Sequence, residues 1–67
     1  MNKLLRIKEV TKRVGLSRAY IYRLIKEGKF PKQVTIVEGS NSIAFVESEI
    51  QKWIDARIDA RDLKEVA

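Results

Sequence analysis

The chain has 67 residues, 45% hydrophobic and 34% charged, with a net charge of +5. That is the make-up of one small globular domain, not of a disordered chain, and its core must be thin because a chain this short buries only about 60% of its unfolded surface. Cys and His are absent, which excludes disulfides, zinc-finger ligand sets and the commonest general base. With no Gly-rich phosphate loop and no carboxylate pair suited to a cleft, the sequence predicts neither an enzyme nor a cofactor or metal site.

The opening segment MNKLLRIK is too short and too charged for a secretory signal, and no apolar run approaches membrane-spanning length. A cytoplasmic location, with no membrane partner, is therefore expected. Leu4 and Leu5 are read as a short extended arm packing beneath the first helix. That helix is predicted over Ile7–Val14, where Ile7, Val10 and Val14 fall on one face. Its N-cap position falls near Arg6, which offers no short acceptor, an omission costing on the order of 1 kcal/mol.

Gly15 follows, where a tight turn between two helices needs a residue tolerant of positive φ. Ser17 is a good N-cap for a second helix, whose buried stripe is Ile21, Leu24 and Ile25. Gly28 sits where this helix must stop in left-handed geometry, Pro31 forbids continuation, and Phe30 is expected to plug the core between them.

Two β-branched runs, Val34–Val37 and Ser42–Phe45, then flank the turn-forming cluster Glu38-Gly39-Ser40-Asn41. Period two sets Val34 and Ile36 on one side, and likewise Ile43 and Phe45 on the partner strand. A two-stranded ribbon in this position is a wing, too short to stand without the helices. A third helix is predicted from near Val46–Ser48 to about Asp62, with Ile50, Trp53, Ile54 and Ile58 as its stripe and Glu47 and Glu49 in its first turn. Beyond Arg61 the pattern fades: Leu63 and Val66 can extend the helix, and DLKEVA can equally fray.

The expected fold is thus mainly α with a small β-hairpin, a winged helix-turn-helix of three helices and a two-stranded wing in a single domain over residues 1–67. The helix-turn-helix occupies about 7–27, the wing about 34–45 and the C-terminal helix about 46–62.

Charge is polarised along this framework. Residues 1–33 hold ten Lys and Arg against Glu9 and Glu27, a net +8, whereas residues 34–67 hold four bases against seven acids, a net −3. A small domain charged this way has one face for a polyanion and one that avoids it. The residues left facing out of the second helix are mostly Arg, Lys and Tyr, which suits the wall of a DNA groove. Arg18, in the first turn, is expected at base edges or phosphates, because Arg is the commonest bidentate reader of guanine. Arg23, five residues on, is expected near the same face. Tyr22 and Tyr20 can stack on sugar or meet a thymine methyl, or lie partly buried. Ser17 is a cap whose hydroxyl can also touch phosphate, and Lys26, Lys29, Lys8 and Lys12 are expected beside phosphates. Trp53 is assigned to packing.

The run LLRIKEV, then GLSRAYIYRLIKEGKFPKQV, a short ribbon and SEIQKWI resembles the AlpA-like family of prophage regulators over roughly residues 3 to 57. The most specific pieces are Leu16-Ser17-Arg18, Ile21-Tyr22-Arg23, Gly28 with Phe30-Pro31, and Ser48-Glu49-Ile50 with Trp53. These are small winged helix-turn-helix proteins, related in fold to excisionases and to the DNA-binding domain of MerR-type regulators. The resemblance implies a sequence-specific DNA-binding protein of a phage, prophage or integrative element that controls an integrase or excisionase gene, or serves as a recombination directionality factor. The family usually carries a small hydroxyl residue where Tyr20 stands, and often another at Ala19. Its wing commonly has Arg after the Gly, whereas here the tip reads Gly39-Ser40-Asn41-Ser42, which leaves Ser40 and Asn41 to hydrogen-bond backbone phosphates.

The expected partner is double-stranded DNA in the nucleoid of a bacterial host. One module of 67 residues makes few base contacts, so several copies on adjacent sites are expected, touching through the exposed part of helix three or the tail to Ala67, where Leu63 and Val66 are left-over apolar residues. The rival reading is a protein-binding adaptor that contacts an integrase or another regulator. Its weakness is that an adaptor has no need of Arg18, Arg23 and Lys26 on an open helix face.

Overall fold

Two of the three strands in this fold are only two residues long, and both hold because they pair with a four-residue strand between them. A computed structural model describes the backbone of residues 2–66 and the side chains of residues 2–64. Strand β1 (Leu4–Leu5) leads into α1 (Ile7–Val14) and α2 (Arg18–Lys26), followed by β2 (Val34–Thr35), β3 (Ile43–Val46) and α3 (Glu47–Val66). The architecture is mainly helical with a small antiparallel sheet, a winged helix-turn-helix.

The sheet has three strands in the order β1-β3-β2, so the expected two-stranded wing gains a third member. Leu4 and Leu5, expected as a short extended arm, are extended and pair with Val46 and Phe45 as a strand. The Lys3 carbonyl accepts from the Glu47 N–H at 2.8 Å, satisfying one of the orphan donors that open α3. On the other side Val34 pairs with Ala44 and Thr35 with Ile43, and the Ile36 N–H donates to the Ser42 carbonyl at 2.8 Å. Paired residues share a face, so Val34 and Ile36 lie with Ala44, opposite Ile43 and Phe45. The core takes the Phe45 side, together with Leu5; Val34 and Ile36 stay largely exposed.

The core consists of Leu5, Val10, Ile21, Phe30, Phe45 and Ile50, with Ile7, Val14, Leu16, Leu24, Ile25, Trp53 and Ile54 packed around it. Every element except β2 contributes. Phe30 meets the Phe45 ring edge-on at 6.1 Å between centroids and the Trp53 ring at 4.9 Å, separations at which aromatic pairs attract beyond their buried area. Trp53 is half-buried, not enclosed; its indole N–H donates to the Lys29 carbonyl at 2.8 Å and ties α3 to the end of α2.

Both turns around α2 follow from local chemistry. Gly15 stands at φ 72 and its N–H donates to the Thr11 carbonyl, while Arg6 caps α1 without a side-chain bond. The Ser17 hydroxyl oxygen accepts the Tyr20 N–H at 3.1 Å. At the far end Gly28, at φ 74, donates to the Ile25 carbonyl and Lys29 to the Leu24 carbonyl, the paired bonds of a Schellman termination. Helix α3 runs through Val66 and does not stop near Asp62. Ile58, expected in its buried stripe, is 44% exposed, because the helix has by then passed the end of the core. No helix of the described residues is long and apolar enough to cross a membrane.

Candidate nucleic-acid interface

Burial of Ile21, with Leu24 and Ile25 half-buried beside it, fixes how α2 is rotated. At 3.6 residues per turn the opposite side carries Ala19, Tyr22, Arg23 and Lys26, and all four are exposed. Arg18 is exposed as well, but five residues carry Arg23 about 140° around the axis from it. The two arginines therefore do not share a face. Arg18 projects from the first turn on the flank shared with Tyr22, and Arg23 from the outer side beside Lys26.

The tyrosines separate in the same way. Tyr22 is 37% exposed on the outer side. Tyr20 turns toward α3, where it borders a shallow concavity of about 300 Å³ with Leu16, Leu24, Lys29, Trp53 and Arg57.

Glu27 stands among the cations. Its carboxylate takes the Arg23 Nε at 3.3 Å and the Lys29 Nζ at 3.7 Å. Both cationic side chains are about 70% exposed, so the pairs are worth well under 1 kcal/mol and exchange readily for another anion. The cluster still presents one net positive charge, and Arg23 keeps its two terminal amino groups free of this carboxylate. Lys8 and Lys12 are exposed one turn apart on α1. Arg13, counted among the bases of the same half, is diverted: its guanidinium meets the Glu47 carboxylate at 2.9 Å and clamps α1 to the start of α3.

At the wing tip Ser40 is committed to its own turn. Its hydroxyl donates to the Val37 carbonyl at 2.7 Å and accepts from the Ser42 N–H at 3.2 Å. Asn41 is exposed. Ser17, though exposed, spends an oxygen lone pair on its cap and retains its proton to donate. Among the described residues no group of acids is placed to hold a metal ion.

Of two contacts among these side chains, one is legible in the sequence and one is not. The Arg23–Glu27 pair was visible as an i, i+4 spacing. The approach of Arg57 to Tyr20 and Lys29 was not, since it depends on how α3 crosses α2.

The family model described as "Prophage CP4-57 regulatory protein (AlpA)" matches residues 3–58. Among curated proteins, "Uncharacterized protein ORF88" of Enterobacteria phage P4 is 44% identical over 57 residues, covering 85% of this chain and 62% of that protein. The chain thus spans less than two thirds of this relative's length. No solved structure matches it.

Proposed function

Since the chain belongs to the AlpA family of prophage regulatory proteins, we propose that it is a sequence-specific DNA-binding regulator that controls integrase or excisionase expression from a phage, prophage or integrative element. The observation that supports this most is the division of α2: Ile21 is fully buried while Ala19, Tyr22, Arg23 and Lys26 are exposed opposite it, with Arg18 open at the first turn. Docked in a major groove, Arg18 reads base edges, and Tyr22 and Arg23 follow the groove wall. Lys26, Lys29, Lys8 and Lys12 neutralise phosphates on either side. Ser17 and Asn41 add neutral donors, with Ala19 letting the helix approach closely. Ser40 contributes through the shape of its turn.

Affinity in this reading comes chiefly from released counterions. About five neutralised phosphates make log K fall against log salt with a slope near −4 to −5. Base contacts of roughly 1–3 kcal/mol each then choose the site. So few contacts make one copy a weak binder and several copies on adjacent sites a useful one. Leu63, 71% exposed on α3, is available for copy-to-copy contact; the side chain of Val66 lies outside the described residues.

The test is selection of bound duplexes from a random pool, followed by quantitative binding to the winner. Arg18→Ala with Arg23→Ala should abolish preference for the selected sequence and leave the helical circular dichroism intact. A pool that yields no common sequence, or a double variant with unchanged preference, sinks the reading. Retention on heparin only well below physiological salt would favour a protein-binding adaptor instead.

A further inference from the structure

The second half of the chain carries net negative charge, yet from Asp55 onward the described charges of α3 separate by sign around the helix. At 3.6 residues per turn Arg57, Arg61 and Lys64 fall within about 60° of one another. They lie on the continuation of the stripe that Ile50, Trp53 and Ile54 bury earlier in the helix. Asp55, Asp59 and Asp62 occupy the opposite side. Where the core ends, the inward face of α3 therefore changes from apolar to cationic. Arg57, Ala60, Arg61 and Lys64 line one surface concavity, and Arg57 also borders the concavity that holds Tyr20, Lys29 and Leu24. The cationic face of α2 and the cationic stripe of α3 thus adjoin through Lys29 and Arg57.

We infer that Arg57, Arg61 and Lys64 form a second phosphate-contacting ridge, which lays the overhanging part of α3 along the sugar–phosphate backbone of the duplex held by α2. Three observations favour this occupant. The stripe is continuous with the α2 face, its described charged residues are all cations, and it is long enough: seven residues advance about 10 Å, over which one strand of a duplex offers about three phosphates. Among the described residues the one acid paired with it, Asp62 to the Arg61 guanidinium at 2.9 Å, forms an exposed pair of neighbours that a phosphate can replace at little cost. The inference rests on the DNA-binding reading above and assigns it a contact surface in the half of the chain that its charge count marks as repelling DNA.

The test is a salt titration of binding to a short mixed-sequence duplex, comparing the unaltered protein with Arg57→Gln/Arg61→Gln/Lys64→Gln. A second variant, Lys3→Gln/Lys52→Gln, removes cations that line a different concavity beside Arg13 and Glu47. The triple variant should flatten the log–log salt slope by about 2 to 3, near 0.9 per phosphate lost. It should weaken binding equally on every duplex sequence and keep its helical circular dichroism. The control variant should leave the slope unchanged within about 0.5, about half the value of one phosphate contact. An unchanged slope in the triple variant overturns the ridge while leaving DNA binding by α2 in place. So does a control that loses as much slope per charge, or a triple variant altered only in the number of copies bound to multi-site DNA, which would mean that the stripe packs on a neighbouring copy. If the unaltered protein shows no salt-sensitive binding at all, both readings fall together.

Discussion

The two halves of α3 share one uninterrupted helix and differ in everything that surrounds it. From Glu47 to Ile54 the helix buries Ile50 completely and packs Trp53 and Ile54 against Phe30 and the sheet. From Asp55 onward the body of the protein falls away, leaving Ile58 at 44% and Leu63 at 71% exposed. A helix can therefore outlast its core. What carries it on is local: Ala56, Arg57, Ala60, Arg61, Leu63, Lys64 and Glu65 are good helix formers, and neither Gly nor Pro interrupts them. The first half is held by tertiary burial, the second by propensity, and substitutions should separate the two.

The largest effect belongs to the first half. Ile50→Ala removes a fully buried side chain from a thin core and should cost about 2–5 kcal/mol. Small domains have only a few kcal/mol to lose, so urea denaturation should show a midpoint near zero or a chain already unfolded. A loss below about 1 kcal/mol, the size of an ordinary surface-to-boundary change, would erase the contrast with the second half.

Next comes the junction of the halves. Trp53→Phe keeps an aromatic ring against Phe30 but deletes the N–H that serves the Lys29 carbonyl at 2.8 Å. The expected cost is roughly 1–2 kcal/mol, one net hydrogen bond plus a modest loss of packing. Amide exchange should report the same weakening at Gly28 and Lys29, whose N–H bonds close the end of α2. Unchanged protection there would detach Trp53 from the turn and make the boundary between the halves a matter of burial alone.

How far each feature was legible in the sequence follows the same division between local and distant causes. The bounds of α1, the Ser17 cap and the terminations at Gly15 and Gly28 are written within a few residues of where they act, and the structure has them as expected. So is the burial of Ile21 and Phe30. Strand β1 was not legible, because two leucines have no period and become a strand only when Val46 and Phe45 pair with them. The end of α3 is legible only as two alternatives, because a fading apolar stripe past Arg61 does not distinguish a helix that continues from one that frays; the structure has it continue through Val66. At the candidate interface, exposure of Ala19, Tyr22, Arg23 and Lys26 follows from Ile21 and helix arithmetic, whereas Arg18 is open because it stands in the first turn. The turning of Tyr20 toward Arg57, and the capture of Arg13 by Glu47, depend on where α3 crosses, which no spacing within one helix encodes.

The smallest effect sharpens the comparison most. Ile58→Ala sits four residues after Ile54 and, by spacing alone, continues the buried stripe. Ala is the better helix former by a few tenths of a kcal/mol because a β-branched side chain loses rotamer freedom against the preceding turn. Against that gain stands whatever burial remains at a side chain already 44% exposed. These terms have opposite sign and similar size, so the net change should lie within about 0.5 kcal/mol, as for surface positions generally. The same truncation at Ile50, two turns earlier on the same helix, should cost several times more. A loss above about 2 kcal/mol at Ile58, the range of core truncations, would mean that the overhang packs against something in solution, and the second half of α3 would have to be counted with the core.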